Sequence, residues 1–168
     1  RRAERFADRG QSAEDDAAEA EVSAQAGVEP DSALYGLDRA MERISLALTF
    51  DKAKRAEKAL QIAEERLAEV KAMIEKKKLD KADEAQKYHD EIVDEAAADV
   101  GEIESDGDDA KAKDAMEKIA KLQNKIASHQ EKVALIKGRI LAKMAAGNMS
   151  AEQLAHITAV FDKIIAKA

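Results

Sequence analysis

Large apolar residues along this chain recur at steps of three and four, the spacing that gathers side chains on one face of an α-helix. After Pro30, the positions Leu34, Leu37, Met41, Ile44 and Leu48 form a first stripe, with Asp31 or Ser32 placed to cap its helix. Thr49-Phe50-Asp51 breaks the pattern and offers a new cap, after which Leu60, Ala63, Leu67, Val70 and Ile74 repeat to about Lys77. Asp80 can cap a third helix, striped by Ala85, Tyr88, Ile92, Ala96 and Val100 and ending before the turn Ser105-Asp106-Gly107-Asp108. From Asp108 or Asp109, the series Ile119, Leu122, Ile126, His129, Val133, Ile136, Ile140 keeps a heptad rhythm with no proline. It predicts one coiled-coil-like helix roughly 35 residues long or longer, about 55 Å. Gly147 is placed to end it in the left-handed conformation. Ser150 and Gln153 form a capping box flanked by Met149 and Leu154 as a staple, so a fifth helix starts at Ala151 and carries Leu154, Ile157, Phe161, Ile164 and Ile165.

A helix striped on one side gains most of its stability by burying the stripe. The helices therefore pack on one another, and the short connections make consecutive ones antiparallel. The expected fold is all-α: an elongated antiparallel bundle of about five helices occupying residues 31–168. Residues 1–30 hold Gly10, Gly27, Pro30 and the acidic run Glu14 to Glu21 with few large apolar side chains, which predicts a flexible acidic leader or interaction arm. Composition agrees with the helical reading. Of the 45 % of residues that are hydrophobic, 36 are alanine and only 3 % of the chain is aromatic, far from the β-branched and aromatic content of a sheet protein.

Charge is zoned: residues 90–109 carry −10 and residues 110–168 carry +6 of a net −7. With a pI near 5.1 and no aromatic stacking platform, nucleic acid is not an expected partner. Lys76-Lys77-Lys78 suits the negative end of a helix dipole. No segment has the length and apolarity of a membrane span, and the chain opens Arg1-Arg2-Ala3, as a trimmed or mature product would. The absence of cysteine removes disulfides, thiolate metal sites and thiol nucleophiles together.

The candidate chemistry is sparse. None of His89, His129 and His156 has a glutamate three residues before it, so the paired Glu-x-x-His motif of di-metal bundles is missing. His89 reads as a solvated surface residue beside Asp90, and His156 has no patterned partner. His129 replaces an aliphatic residue in the long helix's seam, a position where a polar group sets register or oligomeric state. Ser32, Ser105 and Ser150 sit in caps or loops, which leaves no activated nucleophile and no catalytic residue to name. The ten acids of 90–109 need a countercharge, which the lysine-rich helix after them or water supplies. A rival reading places calcium at Glu102, Glu104, Asp106, Asp108 and Asp109, although Lys113 stands where a calcium loop would end in glutamate. No other cofactor is expected. A helix of 55 Å outruns its shorter neighbours, so Ile126, His129, Val133, Ile136, Ile140 and Phe161 are the expected contacts to a second copy or a protein partner.

The run from Pro30 to Val70 carries a recognisable pattern: Pro30, Ser32, Leu34, Tyr35, Leu37, then Arg39 with Glu42, Leu46 with Leu48, and a helix bearing Ala56, Glu57, Leu60, Ala63, Glu65, Arg66, Leu67 and Glu69. In these residues the chain resembles a prokaryotic family known as domain of unknown function 5667, with Gly36 and Asp38 standing where that family has proline and lysine. The resemblance implies an exported or membrane-tethered helical domain, extracytoplasmic or on the cell surface, and transfers no catalytic residue. The expected function is accordingly that of a non-catalytic cell-envelope or extracellular protein working by protein–protein contact or self-assembly, with an acidic calcium-binding module as the alternative.

Overall fold

A computed structural model describes residues 16–24, 27–103 and 109–167. All regular structure among them is helical: α1 at 16–24, α2 Tyr35–Ala47, α3 Lys52–Glu75, α4 Leu79–Gly101, α5 Asp109–Ala146 and α6 Ala151–Lys167. The architecture is the expected all-α bundle, and α5, at 38 residues, is its predicted long helix.

Local chemistry explains most boundaries. The Asp51 carboxylate accepts from the Lys54 amide at 2.9 Å and starts α3. At α6, the Ser150 hydroxyl accepts from the Gln153 amide while the Gln153 side chain accepts from the Ser150 amide, the reciprocal pair that the spacing predicts. Three expectations are corrected. Helix α2 starts at Tyr35, with Ser32 reduced to a turn acceptor for the Leu34 amide. Lys78, not Asp80, precedes α4 and offers no side-chain cap; the reversal there is made by Lys77 at φ 59°. After α5 the left-handed residue is Asn148, φ 58°, and not Gly147.

Ion pairs record the directions of the helices. Arg55 at the start of α3 binds Asp99 at the end of α4, so these two run antiparallel. Lys125, Lys132 and Lys143 of α5 engage Glu57, Glu64 and Glu75 of α3, each pair 68 residues apart, which sets α5 parallel to α3 in one constant register. Lys137 pairs with Asp162 and Lys167 with Asp94, so α6 turns back along α5 and beside α4. One apolar core gathers Leu67, Val70, Met73 and Ile74 of α3 with Ile136 and Ile140 of α5 and Ile157, Phe161 and Ile164 of α6. A second gathers Leu60 and Ala63 of α3 with Tyr88, Ile92 and Ala96 of α4 and Leu122 of α5. Buried among these apolar side chains are the polar residues Arg66, Glu69, Gln86, His89 and His129.

The separate leader expected at 1–30 does not hold for its described part. Residues 16–24 are helical, Val22 is 1 % exposed within the first core, and Glu19 pairs with both Lys71 and Arg139. Val22 and the Glu19 ion pairs anchor this helix, and a single valine makes no repeating stripe in the sequence. Val22→Ala is expected to cost about 2 kcal/mol, two buried methyl groups and the space they leave. Chemical denaturation measures this, and an unchanged midpoint would show that α1 contributes nothing to the bundle.

Candidate functional site

Helix α2 carries two stripes, and the structure buries the less apolar one. Tyr35, Arg39, Glu42 and Leu46, spaced four, three, four, lie on the side of α2 opposite the stripe of Leu34, Leu37, Met41, Ile44 and Leu48. Tyr35 and Leu46 are buried, Glu42 is turned inward, and Arg39 stacks over the Tyr88 ring at 4.1 Å. Leu34, Leu37, Met41, Ile44 and Leu48 are instead 53–67 % exposed, and Phe50 just beyond them is 86 % exposed. The expectation that this stripe packs into the bundle is therefore corrected. Its reason is on the neighbouring helices: the surface of α3 and α4 beneath α2 is charged and aromatic, and matches the polar side of α2.

That surface centres on Arg66, fully buried on α3. Its Nη2 lies 2.9 Å from Glu69 Oε1, donates to Glu42 Oε1 at 3.0 Å, and is 3.7 Å from both Asp38 and Glu65. Tyr35 donates its hydroxyl to Glu69 Oε2 at 3.2 Å, and the rings of Tyr35 and Tyr88 flank the guanidinium at 5.5 and 5.4 Å. Four carboxyl groups thus share one central cation. Burial, only partly offset by Arg66, pushes the Glu69 carboxyl up to about 8 and raises Glu42 and Glu65 as well. The Tyr35 hydroxyl, buried beside Glu69, is raised too. Arg66 Nε and Nη1 and Glu42 Oε2 have no hydrogen-bond partner among the described residues. Such a cluster can hold a proton near neutrality, but Arg66 and Glu69 are both at 0 % exposure, so the site is closed to a substrate.

Sequence periodicity alone could have pointed to it. Ala59, Ile62, Arg66, Glu69 and Met73 form a second three-four stripe on α3, with two charged residues in an otherwise apolar row. His89 and His129 form another buried polar contact. Their Nε2 atoms are 2.9 Å apart, the rings stack at 5.2 Å, and His89 Nδ1 is 3.1 Å from Asp90, which Gln86 holds in turn. Burial, the neighbouring His89 and Lys132 push the His129 imidazole down to about 3, so it is neutral. The reading of His89 as solvated is corrected, and His156 has a partner after all, Asp83 at 2.9 Å.

The residues expected to meet a partner are turned into the chain's own core. Val133, Ile136, Ile140 and Phe161 are fully buried, His129 is buried against His89, and Ile126 packs against the second core. Helix α3 covers the middle of the long helix and α6 folds back over its last turns, whereas in the 68-residue register α3 begins opposite residue 120, so the first turns of α5 do outrun it and Met116 there is 71 % exposed. Among the described residues, the acids of the run from Glu91 to Glu102 find their countercharges on α2, α3 and α6. Arg43 binds Glu91 and Glu95, Arg55 and Lys52 bind Asp99, Lys52 binds Glu102, and Lys167 binds Asp94. Of the calcium candidates, Glu102 is therefore paired, while Glu104, Asp106, Asp108 and the side chain of Asp109 lie outside the described residues. No group of three or more potential metal ligands occurs among the described residues.

Taken as a class, the molecule is an antiparallel helical bundle with a charged cluster inside and an apolar helix face outside. The chain belongs to the family described as Domain of unknown function (DUF5667), which matches residues 27–143, from the turn before α2 almost to the end of α5. The match includes Tyr35, Glu42, Arg66, Glu69 and both buried histidines, and extends well past the segment 30–70. No curated protein and no solved structure matches it. None of the described helices is long and apolar enough to cross a membrane.

Proposed function

We propose that this chain is a non-catalytic cell-envelope or extracellular helical protein that works by binding, either to itself or to another protein, through the outward face of α2. The observation that carries this reading is the group of six large apolar side chains from Leu34 to Phe50, all more than half exposed. Scattered surface leucines are ordinary, but a contiguous patch of this extent marks an interaction site. A cluster of buried ion pairs beneath it supports the same reading, since it fixes α2 without using the apolar stripe. The placement outside the cytoplasm follows from the resemblance of residues 30–70 alone.

Light scattering with mass determination tests the binding reading. The expected result is a mass above the 18.3 kDa of one chain, or a complex with a protein partner, unaffected by calcium or a chelator. A monomer that gains stability or mass only with calcium would overturn it in favour of the acidic cation-binding module. Cell fractionation tests location, with recovery in the envelope or medium expected and recovery in the cytosol contrary.

A further inference from the structure

The outward stripe of α2 is a seam looking for its counterpart. Leu34, Met41 and Leu48 are seven residues apart, and Leu37 and Ile44 sit between them at the complementary spacing, the a and d pattern of a two-helix seam. In an autonomous bundle such a seam faces inward, whereas here the Tyr35, Arg39, Glu42 and Leu46 side ties α2 to α3 and α4. The flanks of the seam are matched to close approach. Along one edge run Ala33, Ala40 and Ala47, all exposed; along the other lie Asp38 and Ser45.

We propose that the occupant of this face is the same face of a second copy, with the two α2 helices antiparallel about a two-fold axis between residues 42 and 43. This inference rests on the binding reading above and names its partner. Four features support it. An antiparallel register centred there sets Leu37 against Leu48 and Met41 against Ile44, so four of the six exposed apolar side chains meet another from the set, with Leu34 and Phe50 at the ends of the seam. The same register sets Ala40 against Ala47 on one edge, letting the backbones approach. On the other edge Asp38, whose carboxylate already lies 3.7 Å from Arg66, comes beside Ser45 and not beside its own like charge. Finally, six apolar side chains at these exposures amount to roughly 500 Å² per copy, about 1,000 Å² for the pair before the alanine edge is added. That reaches the threshold of a biological interface, in the range of weak or transient contacts, and an isologous patch of this kind closes on itself as a dimer.

The chain lacks cysteine, so introduced thiols report contacts between copies without interference. In a mixture of Met41→Cys and Ile44→Cys chains under mild oxidation, the mixed disulfide should exceed the statistical share of half. In the Met41→Asp with Ile44→Asp variant, the dimer should be lost at concentrations where the unmodified chain is dimeric, with the melting temperature of the monomer unchanged because neither side chain is buried in the bundle. Statistical disulfide yields together with a dimer that survives the double substitution would overturn the α2 seam while leaving self-association itself standing. A monomer at high micromolar concentration would overturn the second copy. So would monomeric binding to phosphatidylglycerol vesicles that the same double substitution abolishes, which would assign the stripe to a lipid surface.

Discussion

Replacing Arg66 with alanine is expected to lower the stability of the bundle by about 3–5 kcal/mol, enough to unfold much of a marginally stable domain. The guanidinium is the central cation for Glu69, Glu42, Asp38 and Glu65, and it fills the space between two tyrosine rings. Alanine leaves buried carboxyl groups without their partner and a void beside them. Arg66→Met with Glu69→Met should recover a substantial part of the loss, because an apolar pair of similar volume is not penalised as a lone buried charge is. Urea denaturation of the single and double variants measures the difference. If Arg66→Ala alone proves nearly neutral, α2 is not held by this cluster.

Stability should form a plateau between about pH 4.5 and 6.5 and fall on both sides of it. Glu69 is raised to about 8, so the folded state keeps a proton that the unfolded chain releases near the ordinary carboxyl value; its contribution is complete in acid and is lost as pH rises toward 8. His129 is lowered to about 3, so the unfolded chain takes up a proton that the folded state refuses; its contribution is complete above about pH 6.5 and is lost as pH falls toward 3. Between 4.5 and 6.5 the two slopes cancel. Beyond 6.5 the Glu69 carboxyl dominates. Glu69→Gln should flatten the alkaline side and His129→Leu the acid side, each visible in melting temperature against pH. Unchanged profiles in both variants would refute the assignment of these limbs.

Helices α3 to α6 were legible because each has an apolar repeat long enough to cross several turns, and the Asp51 and Ser150–Gln153 caps have side-chain chemistry specific to a helix start. What periodicity reports is which residues share a face. It is silent on the direction that face takes. For α2, the spacing of Leu34 to Leu48 defines one face, and that face points outward because the opposing row of Tyr35, Arg39, Glu42 and Leu46 finds Glu69, Tyr88 and Arg66 on α3 and α4. The same limit applies to the long helix, whose repeat defines a face but not that Leu122, Val133, Ile136 and Ile140 turn it into the core. The histidine pair was out of reach, because His89 and His129 lie 40 residues apart and nothing local to either signals the other.

The placement of the two tyrosines makes the molecule its own spectroscopic probe. The chain has no tryptophan, so its near-ultraviolet absorbance and intrinsic fluorescence come chiefly from Tyr35 and Tyr88, both against Arg66 at the junction of α2, α3 and α4. An optical melt followed at those wavelengths watches that junction alone, while the peptide signal in the far ultraviolet sums over every helix. Any interval between the two transitions would therefore be the temperature range in which α2 has lifted away from a bundle that is still wound.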